Sequence, residues 1–158
     1  MTSHIVQRTL FQGSNDMTER VLIVDDEKGF LDVLAERLQS RGMEVTTATS
    51  AKEALQKLEA ETFDAIVLDL MMPEMGGIEA LQRIKTKNPD SEVILLTGQP
   101  SVSRGVEAMK LGAADFLIKP ADINELTEKI KMAKAHRMIL GEKKTLKKMK
   151  NILKTKGL

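Results

Sequence analysis

VLIVDDE, residues 21–27, places four branched apolar residues directly before three acids. An uninterrupted run of Val, Leu and Ile is typical of a strand that is buried on both faces, as in a parallel sheet covered by helices. Adjacent carboxylates repel one another unless they are protonated or neutralised. The stretch therefore predicts a buried strand whose carboxyl end carries a site that needs positive charge.

Similar apolar runs recur along the chain, and segments with helical spacing of apolar residues separate them. The predicted strands cover residues 21–24, 44–48, 64–70, 92–97 and 115–118. Strand and helix alternate five times, which predicts an α/β fold with right-handed crossover connections between parallel strands. We expect a doubly wound five-stranded parallel sheet in the order 2-1-3-4-5, a flavodoxin-like (βα)5 sandwich.

Turn and capping residues mark the predicted helix boundaries. Arg41-Gly42, Asn88-Pro89 and Leu111-Gly112 end the first, third and fourth helices. Ser50 and Asp122 have the side chains of good N-caps for the second and fifth helices.

Composition limits the classes of protein and of site. The 158 residues suffice for one domain with tails, and no run approaches the roughly 20 apolar residues of a membrane span. The start of the chain does not resemble a secretory signal, so we expect a cytoplasmic protein without membrane contact. There is no cysteine, and His4 and His136 are the only imidazoles, so a metal would be held by oxygen. The net charge of +1 gives no general attraction to nucleic acid.

Chemically active side chains follow four of the predicted strands. Asp25 and Asp26 follow the first strand, Asp69 ends the third, Thr97 the fourth and Lys119 the fifth. In the predicted strand order, ligands bind beyond the carboxyl ends of the strands, between the first and third. Clustered carboxylates without His or Cys suit a hard divalent cation, Mg²⁺ or Mn²⁺, and a metal-bound carboxylate can accept a phosphoryl group.

Four segments together resemble the receiver domain of two-component response regulators. They are VLIVDDE, DAIVLDLMMPEMGG, VILLTG and GAADFLIKP, and the resemblance covers residues 19–137. It implies that Asp69 is the phosphoacceptor and that Asp26 binds Mg²⁺ directly. It also implies that Asp25 holds the metal through water and that Met71 contributes its backbone carbonyl.

The resemblance implies further roles at the ends of the fourth and fifth strands. Thr97 and Lys119 would contact the phosphoryl group, and Lys119-Pro120 would be a cis peptide, which an X-Pro bond permits at modest cost. Phe116 occupies the family's aromatic switch position, where it would act together with Thr97. Phosphorylation would then reshape the face formed by the fourth helix, fifth strand and fifth helix, around residues 100–130.

Three regions are expected along the chain: a disordered tail over residues 1–18, the receiver over 19–137, and a basic amphipathic extension over 138–158. The extension carries many lysines and one acid, Glu142, and its apolar residues Ile139, Leu146, Met149 and Leu153 have helical spacing. A solvated continuation of the fifth helix, docking on a partner, pairing with itself, and phosphate contacts to nucleic acid all remain open.

The predicted function is that of a stand-alone response regulator without an output domain. A sensor histidine kinase or phosphotransfer protein would phosphorylate Asp69, and a downstream protein or a second copy would bind the switched face. The domain would catalyse its own modification without being a turnover enzyme.

Three rival functions remain open. A Mg²⁺-dependent phosphatase or phosphotransferase of the haloacid dehalogenase type needs an acid two residues after the nucleophile, where this chain has Met71. A receiver-like interaction module would no longer accept phosphate, but neither an acid nor the lysine is missing. A nucleic-acid adaptor would use the basic extension, although the four scattered Phe residues cannot form a base-stacking platform.

Overall fold

The computed structural model describes residues 18–98 and 102–156, in which five strands alternate with five helices. The strands are β1 (Arg20–Val24), β2 (Glu44–Ala48), β3 (Ala65–Leu68), β4 (Val93–Thr97) and β5 (Asp115–Ile118). The helices are α1 (Lys28–Gln39), α2 (Ala51–Ala60), α3 (Gly77–Lys87), α4 (Val102–Lys110) and α5 (Ile123–Thr155). Residues 1–17, most of the predicted N-terminal tail, lie outside the described residues.

The strands form one sheet in the order β2-β1-β3-β4-β5, and all four pairings are parallel. This confirms the predicted doubly wound sandwich. Helices α1 and α5 cover one face of the sheet, and α2, α3 and α4 cover the other. Alternate residues of each strand therefore belong to two separate cores. In β1, Leu22 and Val24 pack beneath α2, α3 and α4. Val21 and Ile23 pack against α1 and α5.

The predicted helix boundaries agree with local hydrogen bonding. The hydroxyl of Ser50 accepts a bond from the N–H of Glu53 at 3.1 Å, and the carboxylate of Asp122 accepts from the N–H of Asn124 at 2.8 Å. Both N-caps are thus confirmed. After α1 and α4 the chain turns through Gly42 and Gly112, whose φ angles of 86° and 98° favour glycine.

Strand β3 is shorter than predicted, and helix α5 continues into the predicted extension, as one of the open alternatives had it. The third strand covers residues 65–68 of the predicted 64–70, and the N–H groups of the flanking Asp64 and Asp69 still donate to the backbone carbonyls of Arg20 and Val24. Helix α5 runs for 33 residues and crosses residue 138 without interruption. Within the described ranges, no helix is both long enough and apolar enough to cross a membrane.

Candidate functional site

Three acids meet at the carboxyl end of the sheet. Carboxylate oxygens of Asp25, Asp26 and Asp69 all lie within 4.8 Å of one another. The sheet brings them together because β1 and β3 are adjacent, with Val24 in register with Leu68. The N–H of Asp69 also donates to the carbonyl of Val24 at 2.9 Å. Asp25 and Asp69, 44 positions apart in the sequence, are thus neighbours because they follow adjacent strands.

Backbone hydrogen bonds orient the two buried carboxylates. Oδ1 of Asp25 accepts from the N–H of Glu27 at 2.9 Å, and Oδ1 of Asp69 accepts from the N–H of Met71 at 3.2 Å. Helix α1 begins after Glu27, and no side chain caps its first turn. Simple helix capping therefore does not explain Asp25 and Asp26, and each buried carboxylate keeps its second oxygen for other partners.

Lys119 projects over the same edge of the sheet. Its Nζ atom lies 2.6 Å from Oδ2 of Asp25 and 3.8 Å from Oδ2 of Asp69. The lysine directly follows β5 and precedes Pro120 through a cis peptide bond, as the sequence predicted. Its N–H donates to the carbonyl of Thr97 at 2.8 Å, which ties the ends of β4 and β5 together.

The electrostatics of the cluster favour a cation. Burial raises the pKa of the Asp69 carboxyl to about 6; the hydrogen bond from Met71 opposes this increase, and the negative charge of Asp25 adds to it. Burial lowers the pKa of Lys119, but the hydrogen bond to Asp25 and the negative charges of Asp25, Asp69 and Glu27 together outweigh that effect, so the pKa is higher than usual. One lysine thus faces three acids, and positive charge from a metal would relieve the remaining repulsion.

Thr97 and Phe116 lie on one face of the sheet. Phe116 is in register with Leu95, two residues before Thr97, and side chains two apart on a strand share a face. Thr97 is fully buried, and the half-buried Phe116 ring lies beneath α4, where a Cβ on Gly105 would be 3.7 Å from it. The structure therefore places both predicted switch residues on the face of the sheet that α4 covers.

Two site features escaped sequence analysis. The Phe30 ring centroid lies 4.2 Å from Nζ of Lys119, a cation–π distance. The helical spacing of apolar residues indicates only that Phe30 belongs to the apolar side of the first helix. Gly77 begins α3 so close to the acids that an added Cβ would lie 2.5 Å from the Cα of Leu70 and 2.6 Å from the Asp69 carbonyl oxygen. The glycine doublet at residues 76–77 is the one sequence signal for this close approach.

Residues 21–131 match the family model described as "Response regulator receiver domain". The chain belongs to the response regulator receiver family. A phosphorylation-dependent switch is typical of this family, whose members generally are not turnover enzymes. Receiver domains bind Mg²⁺ at an acidic pocket, and a cluster of Asp residues is present in this one.

Curated relatives of the receiver include longer regulators. The transcriptional regulatory protein ZraR of Escherichia coli strain K12 is 39% identical over 116 residues, which cover 73% of this chain and 26% of ZraR. The response regulator protein FleR of Pseudomonas aeruginosa is 38% identical over 112 residues, 71% of this chain and 24% of FleR. The chain thus spans about a quarter of the length of these relatives.

Solved structures share the fold over nearly their whole length. A CheY-like receiver domain from Methanospirillum hungatei is 34% identical with a TM-score of 0.73, and the match covers 77% of this chain and 97% of that one. TrrA from Thermotoga maritima, solved in complex with Mg²⁺ and BeF, is 34% identical with a TM-score of 0.67, covering 73% and 98%. The predicted family and fold are confirmed.

Proposed function

We propose that Asp69 is the phosphoacceptor of a two-component phosphorelay and that its Mg²⁺-dependent phosphorylation switches the binding of a partner. The observation that carries this proposal is the position of the Asp69 carboxylate, buried between two further acids and a lysine. Such a carboxylate is held next to groups that can neutralise an incoming phosphoryl group.

The donor set fits a hard divalent cation. Asp25, Asp26 and Asp69 supply carboxylate oxygens, and in the described residues this is the one cluster of acids or histidines of suitable geometry. Mg²⁺, or Mn²⁺ in its place, would be held by these acids and by the backbone carbonyl of Met71. When bound, the ion would offset the negative charge of the carboxylates and of the phosphoryl oxygens. The Mg²⁺ and BeF bound to the related TrrA support this assignment.

The remaining roles belong to protein side chains. An Asp69 oxygen attacks phosphorus in line with the bond from phosphorus to the donor's histidine nitrogen. That P–N bond breaks, the imidazole leaves with the donor protein, and an acyl phosphate forms on the Asp69 side chain. The ammonium of Lys119, already 3.8 Å from the acceptor, pairs with a phosphoryl oxygen, and the Thr97 hydroxyl binds another. Because Lys119 also pairs with Asp25, its shift toward the new phosphate rearranges the unphosphorylated network.

The switch passes from Thr97 and Phe116 to the face formed by α4, β5 and α5. Three apolar side chains of α4 and β5 are about half exposed on this face: Val106, Met109 and Ile118. We place the downstream partner on this face, or a second copy of the chain. Amide chemical shifts with and without beryllofluoride should change around residues 100–130; changes confined to α1 and α2 would contradict this placement.

Response regulators act between histidine kinases and downstream effectors. A sensor histidine kinase or phosphotransfer protein is therefore the proposed donor here, and the chain is not a turnover enzyme. Met71 supports that assignment, because it stands two residues after the acceptor and cannot donate a proton to a leaving group.

Intact-mass analysis after treatment with acetyl phosphate tests the proposal. With Mg²⁺, the wild-type chain should gain one phosphoryl group, about 80 Da, and with a chelator it should gain none. Asp69→Asn should gain none under either condition, whereas Asp32→Asn, on the exposed side of α1, should behave as the wild type. An unmodified wild type would favour an interaction module that does not accept phosphate.

A further inference from the structure

The C-terminal part of α5 carries apolar side chains that nothing in the described structure covers. The helix contributes buried residues only up to Lys134, and every described residue from 141 to 156 is exposed. Even so, Ile139, Leu146 and Leu153 recur every seven residues and are between 48% and 57% exposed. A helix this far from the core needs a partner to bury such residues.

The exposed residues follow a heptad pattern. We define the heptad stripe as Ile139, Glu142, Leu146, Met149 and Leu153, which are separated by three, four, three and four residues. This spacing repeats every 3.5 residues, the period at which two helices supercoil and keep one seam in contact. The stripe is therefore suited to another long helix rather than to a flat surface.

Contacts on the other side of α5 point the stripe away from the domain. Arg137 donates to the backbone carbonyl of Phe63, and Lys144 pairs with Asp90 before β4. At 100° per residue, both basic residues lie roughly opposite the stripe. The helix is thus held against the domain on its basic side, and its apolar side is left to contact another molecule.

The charges suit a parallel pairing of two copies. In a parallel pair, Lys143 and Lys150 would flank the seam beside Met138 and Thr145 of the second helix, which carry no charge. The other lysines of the segment, at 144, 147, 148 and 154, point outward. Self-association therefore brings no lysines face to face across the seam, despite the basic composition of the helix. The one like-charged pair in the seam is Glu142 with its counterpart, and Lys143 of the opposite helix flanks each of the two carboxylates.

The charge of Glu142 favours a second copy of the chain over an anionic lipid surface as the partner of the stripe. Glu142 is the one acid between residues 138 and 158, and it lies within the stripe. Against anionic lipid, a carboxylate in the middle of the apolar face would be repelled and desolvated. In a parallel pair it lies beside Lys143 of the other helix. We propose that residues 138–155 pair in parallel with the same segment of a second copy, whether or not Asp69 is phosphorylated.

Sedimentation equilibrium of the full unphosphorylated chain tests the pairing. The expected mass is twice the 17.5 kDa of one chain. Leu146→Gln with Leu153→Gln should weaken association by at least about tenfold, since each loses a buried apolar side chain in both copies. Lys147→Gln with Lys154→Gln, on the outward side, should leave association within about twofold. A monomeric wild type would overturn the proposal, as would a stripe variant that associates normally while circular dichroism shows a folded chain.

Two further measurements test orientation and charge. Glu142→Lys should weaken association, and adding Lys143→Glu should restore it, because the swap rebuilds the pair across the seam. The chain has no cysteine, so Ile139→Cys should form disulfide-linked dimers with itself. A disulfide between Ile139→Cys and Leu153→Cys chains, without self-linked Ile139→Cys dimers, would indicate antiparallel helices and contradict the proposal. Monomeric binding to phosphatidylglycerol vesicles would identify a lipid surface instead.

Discussion

The ammonium of Lys119 lies 2.6 Å from a carboxylate oxygen of Asp25, although 94 residues separate them in sequence. Both residues directly follow strands of one parallel sheet, and that placement creates the ion pair. In the unphosphorylated domain the lysine partly neutralises the acids, at positions where a metal ion would do the same. The two cations should therefore influence each other's binding.

Removing the lysine charge should strengthen Mg²⁺ binding. In Lys119→Met the acids lose a cation that lies 2.6 Å from Asp25 and 3.8 Å from Asp69, so their attraction for a divalent ion increases. We expect several-fold tighter Mg²⁺ binding by isothermal titration calorimetry. Lys129→Met, which removes a partly exposed ion pair with Asp115, is the control and should bind as the wild type. Weaker binding by Lys119→Met would show that the lysine helps to hold the site together.

Asp69 should make the metal-free domain less stable as the pH rises from about 4 to about 6. Burial raises the pKa of Asp69 from 3.8 to about 6, so in this interval the folded state binds more protons than the unfolded state. The contribution of Asp69 to the free energy of unfolding then decreases with pH, and the penalty is fully present at neutral pH. Added Mg²⁺ should restore stability above pH 6 and have little effect below pH 4.

Asp69→Asn isolates this contribution. The amide does not ionise, so the variant should melt several degrees above the metal-free wild type at pH 7.5, where ~1 kcal/mol corresponds to about 2–4 °C. At pH 4 the two should melt together. Calorimetry in the presence of a chelator makes the comparison, and Asp32→Asn serves as the exposed control. Equal melting temperatures at pH 7.5 would contradict the raised pKa.

The adjacent glycines 76 and 77 should respond differently to alanine. A Cβ on Gly77 would lie 2.5 Å from the Cα of Leu70, so the backbone that holds Asp69 must move; at Gly76 a Cβ meets nothing within 4 Å. We expect Gly77→Ala to lower the free energy of unfolding by roughly 2 kcal/mol or more in urea titrations. Gly76→Ala should change it by less than about 0.5 kcal/mol. Comparable losses in both variants would mean that the close approach at Gly77 is not the cause.

Met71 should make the phosphorylated state long-lived. Met71 stands two residues after the acceptor, and its side chain is 43% exposed. Its Sδ atom lies 3.0 Å from Nη1 of Arg104. A thioether cannot orient a water molecule for attack on the acyl phosphate. Met71→Asn should therefore shorten the lifetime severalfold, and Met71→Leu should leave it near that of the wild type; phosphate release over time measures both. The second family position for lifetime, Gln99, lies outside the described residues.

Sequence patterns predicted the fold because the strands of a parallel sheet are buried on both faces. Residues 21–24 and 65–68 are uninterrupted apolar runs of the kind that such a sheet buries, and the acids after them identify the edge where the site forms. Strand order then brings Asp25 near Asp69 without any further information.

The remaining features depend on distances between residues that no periodicity encodes. Phe30 has the spacing of a core residue whether or not its ring approaches Lys119. Gly76 and Gly77 are the same residue type in the same turn, and only the packing of α3 against Leu70 distinguishes them. The direction of the heptad stripe likewise depends on contacts such as that between Lys144 and Asp90.

Mapping the phosphoryl group to a single residue tests the central claim most directly. After treatment with acetyl phosphate and Mg²⁺, borohydride reduction converts an aspartyl phosphate to homoserine, which tandem mass spectrometry can locate. The account predicts homoserine at position 69 and none at Asp25 or Asp26. A label at either of those acids, or a protein that stays unlabelled while it binds Mg²⁺, would contradict the assignment of Asp69 as the acceptor.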